Sequence, residues 1–275
     1  MKSYQQNDSL LKKPCRNGKA APVCGLFYIK RYALRKNDYI CELKLSLMGA
    51  NDKRITTVNR EGFTTIALTG ALLLLVNVIL FLPSVRGLGS GIFLVLSIAI
   101  LCMMVNFFRN PRRIFPSEDR DKVVVGSADG TIVAIEEVDE TEYFHDRRIM
   151  VSTFMNIFNV HANWYPVNGT VVKVAHQEGH FHAADKPKSS TENERSTVVI
   201  ETEDGQQVMV RQIAGLMARR IVTYPSVGDK CHIDQHLGFI KFGSRVDIYL
   251  PLGSLVCVKM NDKVKADTTI LAKLP

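Results

Sequence analysis

The sequence has no CxxC pair and no regular cysteine spacing. Its six cysteines (Cys15, Cys24, Cys41, Cys102, Cys231, Cys257) are scattered, three before residue 48 and one inside an apolar run. No zinc site or disulfide framework is indicated, and a reducing, cytoplasmic setting fits best. An excess of one charge is missing from most of the chain as well. The net charge of +8 over 275 residues comes from residues 1–61, with 13 Lys+Arg against 5 Asp+Glu, while residues 62–275 hold 22 against 22. A reader of nucleic acid would carry its charge on the folded domain, so nucleic acid is not an expected partner. Charge is absent altogether from residues 62–85 and 87–108, which only Arg86 separates.

Each uncharged stretch is long enough to span a bilayer as a helix, since about 20 residues at ~1.5 Å rise cover a hydrocarbon core of ~30 Å. Pro83, Gly87, Gly89 and Gly91 cluster at the junction, where a tight turn is needed. Lys53, Arg54 and Arg60 flank the entrance, and Arg109, Arg112 and Arg113 flank the exit. The positive-inside rule then puts both ends in the cytoplasm and gives a two-helix membrane hairpin over 62–108. A signal peptide is the rival for the first stretch, but that stretch is too long and no small-residue cleavage site follows it. A hairpin buried in a protein core is the other reading the pattern admits.

Residues 1–61 form a basic extension. Met48, followed by GANDKR, reads as the true start, which would leave 1–47 untranslated; a genuine cytoplasmic extension is the alternative. Beyond Pro116 the pattern turns to short β-rich runs punctuated by Gly, Asn and Asp: 123–125, 131–136, 149–154, 170–175, 197–201, 208–213, 230–233, 245–250 and 255–259. Such runs predict a mostly β domain over 109–275, a compact barrel or sandwich, with one short helical candidate at 212–220.

Three positions carry the candidate chemistry. Gly243-Ser244, in IKFGSRVD at 240–247, interrupts a strand-like pattern instead of linking domains. A serine hydroxyl directly after glycine can attack the preceding carbonyl, and glycine offers no Cβ to hinder it. Asp129 precedes Gly130 between two strand-like runs and, taken alone, reads as a turn aspartate. His161, among Ile157, Phe158 and Val160, reads alone as a core histidine.

What joins these positions is a set of motifs: SADG at 127–130, NVHANWYPVNGTV at 159–171, TENERS at 191–196, RQIAG at 211–215 and FGSR at 242–245. Together they resemble the bacterial phosphatidylserine decarboxylases of the short, Bacteroides-like type, over residues 106–275. The resemblance implies self-cleavage between Gly243 and Ser244, with Asp129, His161 and Ser244 as the triad: a carboxylate-held imidazole takes the serine proton. It implies that residue 244 becomes a pyruvoyl cofactor, which forms a Schiff base with phosphatidylserine and yields phosphatidylethanolamine and CO2. The implied partners are membrane lipid, the enzyme's own cleaved alpha and beta chains and further copies in a homo-oligomer, at the cytoplasmic side of the bacterial inner membrane.

Some longer relatives have a second histidine where this chain has Phe158, so the proton donor after decarboxylation stays open among His161, His176, His180, His182 and water. The family match gives the Asn193-Glu194-Arg195 stretch a place in the site, with Glu194 and Arg195 as a structural pair. Arg245 is expected to meet the lipid phosphate or the serine carboxylate. The run HQEGHFH at 176–182 matches no zinc signature, and no metal is expected. The segments SADGTIVAI and CVKMNDKVKADTTILAKL also resemble lipoyl and biotinyl carrier folds. A membrane-anchored carrier or scaffold module, for which Lys259-Met260 or Lys263 is the nearest lysine but in the wrong local order, and a pyruvoyl decarboxylase of another serine-headed lipid are the alternative functions.

Overall fold

The computed structural model describes residues 56–82, 87–117, 120–180, 193–215, 220–241 and 243–275. The expected start at Met48 and nearly all of the basic extension lie outside them. A short strand, β1 (Thr56–Val58), leads into a first helix, Arg60–Leu80. Asn59 caps that helix by accepting the Glu61 amide at 2.9 Å, which satisfies one of the amides a helix start leaves unpaired. The second helix, Leu88–Phe107, runs into β2 (Arg109–Pro111). β1 and β2 pair antiparallel with Val58 opposite Arg109, so the chain enters and leaves the helical pair on one side.

Both helices are long and apolar enough to cross a membrane. Leu68, Leu72, Leu75, Ile92, Val95 and Ile98 are all exposed, as on a surface that faces lipid and not a protein core. Between the helices Asn77 Nδ2 donates to Ser97 Oγ at 3.0 Å and to Leu73 O at 2.7 Å. Polar clasps of this kind hold helices together where no hydrophobic force can.

The rest is antiparallel β. In chain order come β3 (Val123–Val125), β4 (Gly130–Glu140), β5 (Asp146–Met155), β6 (Ala162–Trp164), β7 (Gly169–Gln177), β8 (Arg195–Glu201) and β9 (Gln207–Ala214). Then follow β10 (Ile221–Thr223), β11 (Lys230–Cys231), β12 (His236–Ile240), β13 (Ser244–Leu250), β14 (Leu255–Val256), β15 (Lys263–Val264) and β16 (Ile270–Lys273). An eight-stranded sheet has the order β11-β7-β8-β9-β13-β5-β4-β15, and two three-stranded sheets, β10-β12-β6 and β14-β16-β3, complete the domain. The mostly β reading therefore holds.

Valine and isoleucine supply the core, because β-branched side chains pack well on a pleated surface. Val151, Val198, Ile200, Val208, Val210 and Ile248 are all fully or almost fully buried. One element differs from expectation. Gln212 to Ala214 belong to β9, where Gln212 pairs with Ser196 on one side and Val246 on the other. Two ladders override a local helical pattern, and residues 216–219 of that candidate lie outside the described residues.

A second, mostly aromatic cluster joins the helices to the β domain. Met104, Phe107, Phe108, Trp164 and Phe239 are buried together, with Phe108 and Phe239 stacked at 5.6 Å between centroids. Gly62 lets the first helix approach: a Cβ there would collide with the Phe108 ring.

Candidate active site

Ser244 is the first residue of β13, the strand between β9 and β5, and it is fully buried. Its ladder neighbours are Met155 on β5 and Ala214 on β9. The hydroxyl donates to Met155 Sδ at 3.2 Å, a weak acceptor that is readily given up. Gly243, just before the strand, has φ +69°, the left-handed region that glycine adopts without strain. Nothing crowds it, so conformation and not space makes glycine the residue required there.

His161 follows a turn that two asparagines build. Asn159 Oδ1 accepts the Asn156 amide and Asn156 Oδ1 accepts the Phe158 amide, both at 2.9 Å. The ring is fully buried against Phe107, the last residue of the second apolar helix, with centroids 4.3 Å apart. Nδ1 lies 3.0 Å from the Asn159 carbonyl, and Nε2 lies 3.3 Å from the Gly243 amide. A carbonyl only accepts and an amide N–H only donates, so the proton sits on Nδ1 and the Nε2 lone pair faces Gly243. Burial pushes the imidazole pKa down to about 4, and nearby Arg109 adds to the fall; the ring is a neutral base at pH 7.

Asp129 sits at the mouth of the same region without touching His161. Its carboxylate takes both arms of the Arg113 fork, at 2.5 and 2.7 Å, and the Ala266 amide at 2.9 Å. Arg113 also donates to the Ala266 carbonyl and lies over the Trp164 ring. Asp129 reaches His161 through its field alone, which favours the charged imidazole. The structure therefore brings His161 to Gly243, and the tautomer-fixing partner of His161 is the Asn159 carbonyl.

Other expectations meet different partners. Arg245 is buried and forms a bidentate pair with Asp247, at 2.7 and 2.8 Å, on the same face of β13. Arg195 bonds Glu142, and Glu194 lies 3.6 Å from His176. Asn193 is buried and donates to the Ala214 carbonyl at 2.7 Å, which fixes the strand beside Ser244. His182 lies outside the described residues. Asn163 and Gln212, quoted above only as parts of motifs, bond at 2.7 Å beneath the site, with Asn163 Nδ2 3.8 Å from Met155 Sδ.

The described residues thus place a Gly-Ser peptide at the head of a central strand, with a neutral imidazole on its amide. The family model for phosphatidylserine decarboxylase matches residues 100–272. The chain belongs to that family. A phosphatidylserine decarboxylase proenzyme of Bacteroides thetaiotaomicron is 58% identical over 217 residues, covering 79% of this chain and 95% of the relative. The proenzyme of Porphyromonas gingivalis is 57% identical over 186 residues, covering 68% of this chain and 84% of its own. That of Cytophaga hutchinsonii is 42% identical over 219 residues, covering 79% and 98%. The family match begins inside the second apolar helix, so it takes in Phe107 and the arginines that follow as well as the triad positions.

Proposed function

We propose that this chain cuts itself between Gly243 and Ser244 and then decarboxylates phosphatidylserine to phosphatidylethanolamine at the pyruvoyl group left on residue 244. The observation that carries the reading is the Nε2 lone pair of neutral His161 on the amide of Gly243, one residue from a buried serine. Ser244 Oγ exchanges Met155 Sδ for the imidazole, loses its proton to Nε2 and attacks the Gly243 carbonyl carbon. The peptide C–N bond breaks and an ester C–O bond replaces it, with His161 returning the proton to the freed amine. Elimination then releases Gly243 as a carboxylate, and hydrolysis of the resulting enamine consumes water and releases ammonia. Asp129, clamped by Arg113, supports the imidazolium that forms in between through its negative field.

The residues fit the group. Position 244 is buried and flanked by Met155 and Ala214, so a ketone there would be held at a fixed place on the strand. A pyruvoyl ketone supplies an electron sink for loss of CO2, as pyridoxal phosphate does elsewhere. We assign the proton that replaces CO2 to His161, whose Nε2 lies 3.3 Å from the Gly243 amide and first takes that proton from the ammonium group of the substrate. The bacterial inner membrane and its cytoplasmic face belong to the same reading, supported by the paired entry and exit strands and by Arg109, Arg112 and Arg113 at the helix exit. A kinship with lipoyl and biotinyl carriers belongs to it too; β3 and β4, from the start of the domain, pair with β16 and β15 from its end.

Intact mass under denaturing conditions tests the reading. The wild type should give two chains, the smaller being 244–275 with a blocked amino terminus, and should release CO2 from carboxyl-labelled phosphatidylserine. Ser244→Ala should give one uncut, inactive chain. A single intact chain in active enzyme would overturn the mechanism.

A further inference from the structure

A lipid substrate brings a phosphodiester anion, and Arg245, the cation expected to meet it, is buried in a bidentate pair with Asp247. Arg113 is likewise taken up by Asp129. A third arginine stands differently. Arg109 begins β2, two residues beyond the end of the second apolar helix. Its Nη1 donates to the Asn106 carbonyl at 2.7 Å and its Nη2 to the Phe158 carbonyl at 2.6 Å. Both partners are neutral, and among the described residues Arg109 forms no ion pair with a carboxylate.

We propose that Arg109 binds the headgroup phosphodiester of the membrane phospholipid substrate, an assignment that rests on the decarboxylase reading above. Two carbonyls use two of the five guanidinium N–H groups and leave three for an anion in the forked geometry that suits phosphate. Arg109 is partly buried, and burial lowers its pKa, so an arriving anion would meet a cation that water screens incompletely. It also holds the turn that leads to His161, through the Phe158 carbonyl three residues before that ring. Its position is the boundary of the bilayer. The helix before it is apolar, and the loop it grips exposes Ile157 and Phe158, 42% and 67% accessible. A phospholipid with its acyl chains among those side chains would hold its phosphate at this depth and its serine one step deeper, toward residue 244.

The competing role is structural, since Arg109 also caps the carbonyl end of the helix. Arg109→Gln and Arg109→Lys in the full-length enzyme separate the two, assayed with phosphatidylserine in mixed micelles and with water-soluble glycerophosphoserine. Both variants should still end as two chains, the rate of cutting shifting with the loss of the Arg109 contact to the turn before His161. KM should rise roughly 10- to 100-fold in Arg109→Gln, and less in Arg109→Lys, for both substrates, with kcat within about threefold. An unchanged KM overturns the proposal. So does a rise confined to micelles, which would make Arg109 a general bilayer contact. If Arg109→Gln fails to cut, Arg109→Lys decides, and a wild-type KM there overturns it. A wild type that cuts but never decarboxylates phosphatidylserine would instead remove the reading on which the proposal rests.

Discussion

Neutral His161 makes the cleavage step depend on pH in a defined direction. Its pKa is lowered in the fold from 6.5 to about 4, because burial penalises the imidazolium. The rate of self-cleavage should therefore be flat from about pH 5.5 to 8 and fall as the pH drops through about 4, as the base is lost. A rate that falls near pH 6.5 would mean an ordinary, solvated histidine. Stability follows the same sign. Between the two pKa values the unfolded chain binds more protons than the folded one, so the contribution is complete above about pH 6.5. It is lost toward pH 4, by roughly 3 kcal/mol. The Arg113–Asp129 pair makes a second residue-scale prediction. Both side chains are nearly buried, so removing one partner strands the other's charge. Arg113→Met and Asp129→Asn should each slow cutting and cost about 2–4 kcal/mol, and the double variant should cost less than the sum, by about 1–3 kcal/mol. A coupling near zero, measured by denaturant unfolding, would mean that the two do not act as a unit.

The apolar helices do more than anchor the domain. Phe107 ends the second helix and lies against the His161 ring, while Phe108 packs beneath the first turn of the other helix at Gly62. An error at the helix junction is therefore felt at the catalytic base. Gly62→Ala should force Phe108 to shift, cost about 1–3 kcal/mol of overpacking and slow self-cleavage, although Gly62 touches neither Ser244 nor His161. Unchanged cutting in that variant would uncouple the helices from the site. The strands themselves were legible as apolar runs of the right length, because both faces of β8, β9 and β13 are largely buried. Of the three-residue strands, β3 was legible because it is all valine, while β6, with Asn163 at its centre, and β10, beside the 212–220 helical candidate, were not.

For the whole molecule, the proposed cut lies at the head of a strand with a partner on each side. β13 pairs with β5 and β9, β15 with β4, and β16 with β3, ladders that do not run through the Gly243–Ser244 bond. The two chains should therefore co-elute on size exclusion in native detergent and separate only in denaturant. Loss of the 244–275 chain in native buffer would contradict the pairing. A chain cut there would keep its shape because sheet hydrogen bonds and a buried core, not the peptide bond, hold the new end.

Features that depend on neighbours along the chain were readable from the residues alone. The charge-free stretches gave the hairpin, the valine and isoleucine runs gave the sheet, and Gly243-Ser244 gave the reactive dipeptide. Arg245 and Asp247 could have been paired from sequence as well, since residues two apart share one face of a strand. Contacts between residues far apart in the chain came from the fold. His161 reaches Gly243 over 82 residues, Arg113 holds Ala266 over 153, and Met155 faces Ser244 through strand register. Those meetings follow from which strands pair and in what register, and the burial they create sets the proton affinity of His161. No local pattern encodes them.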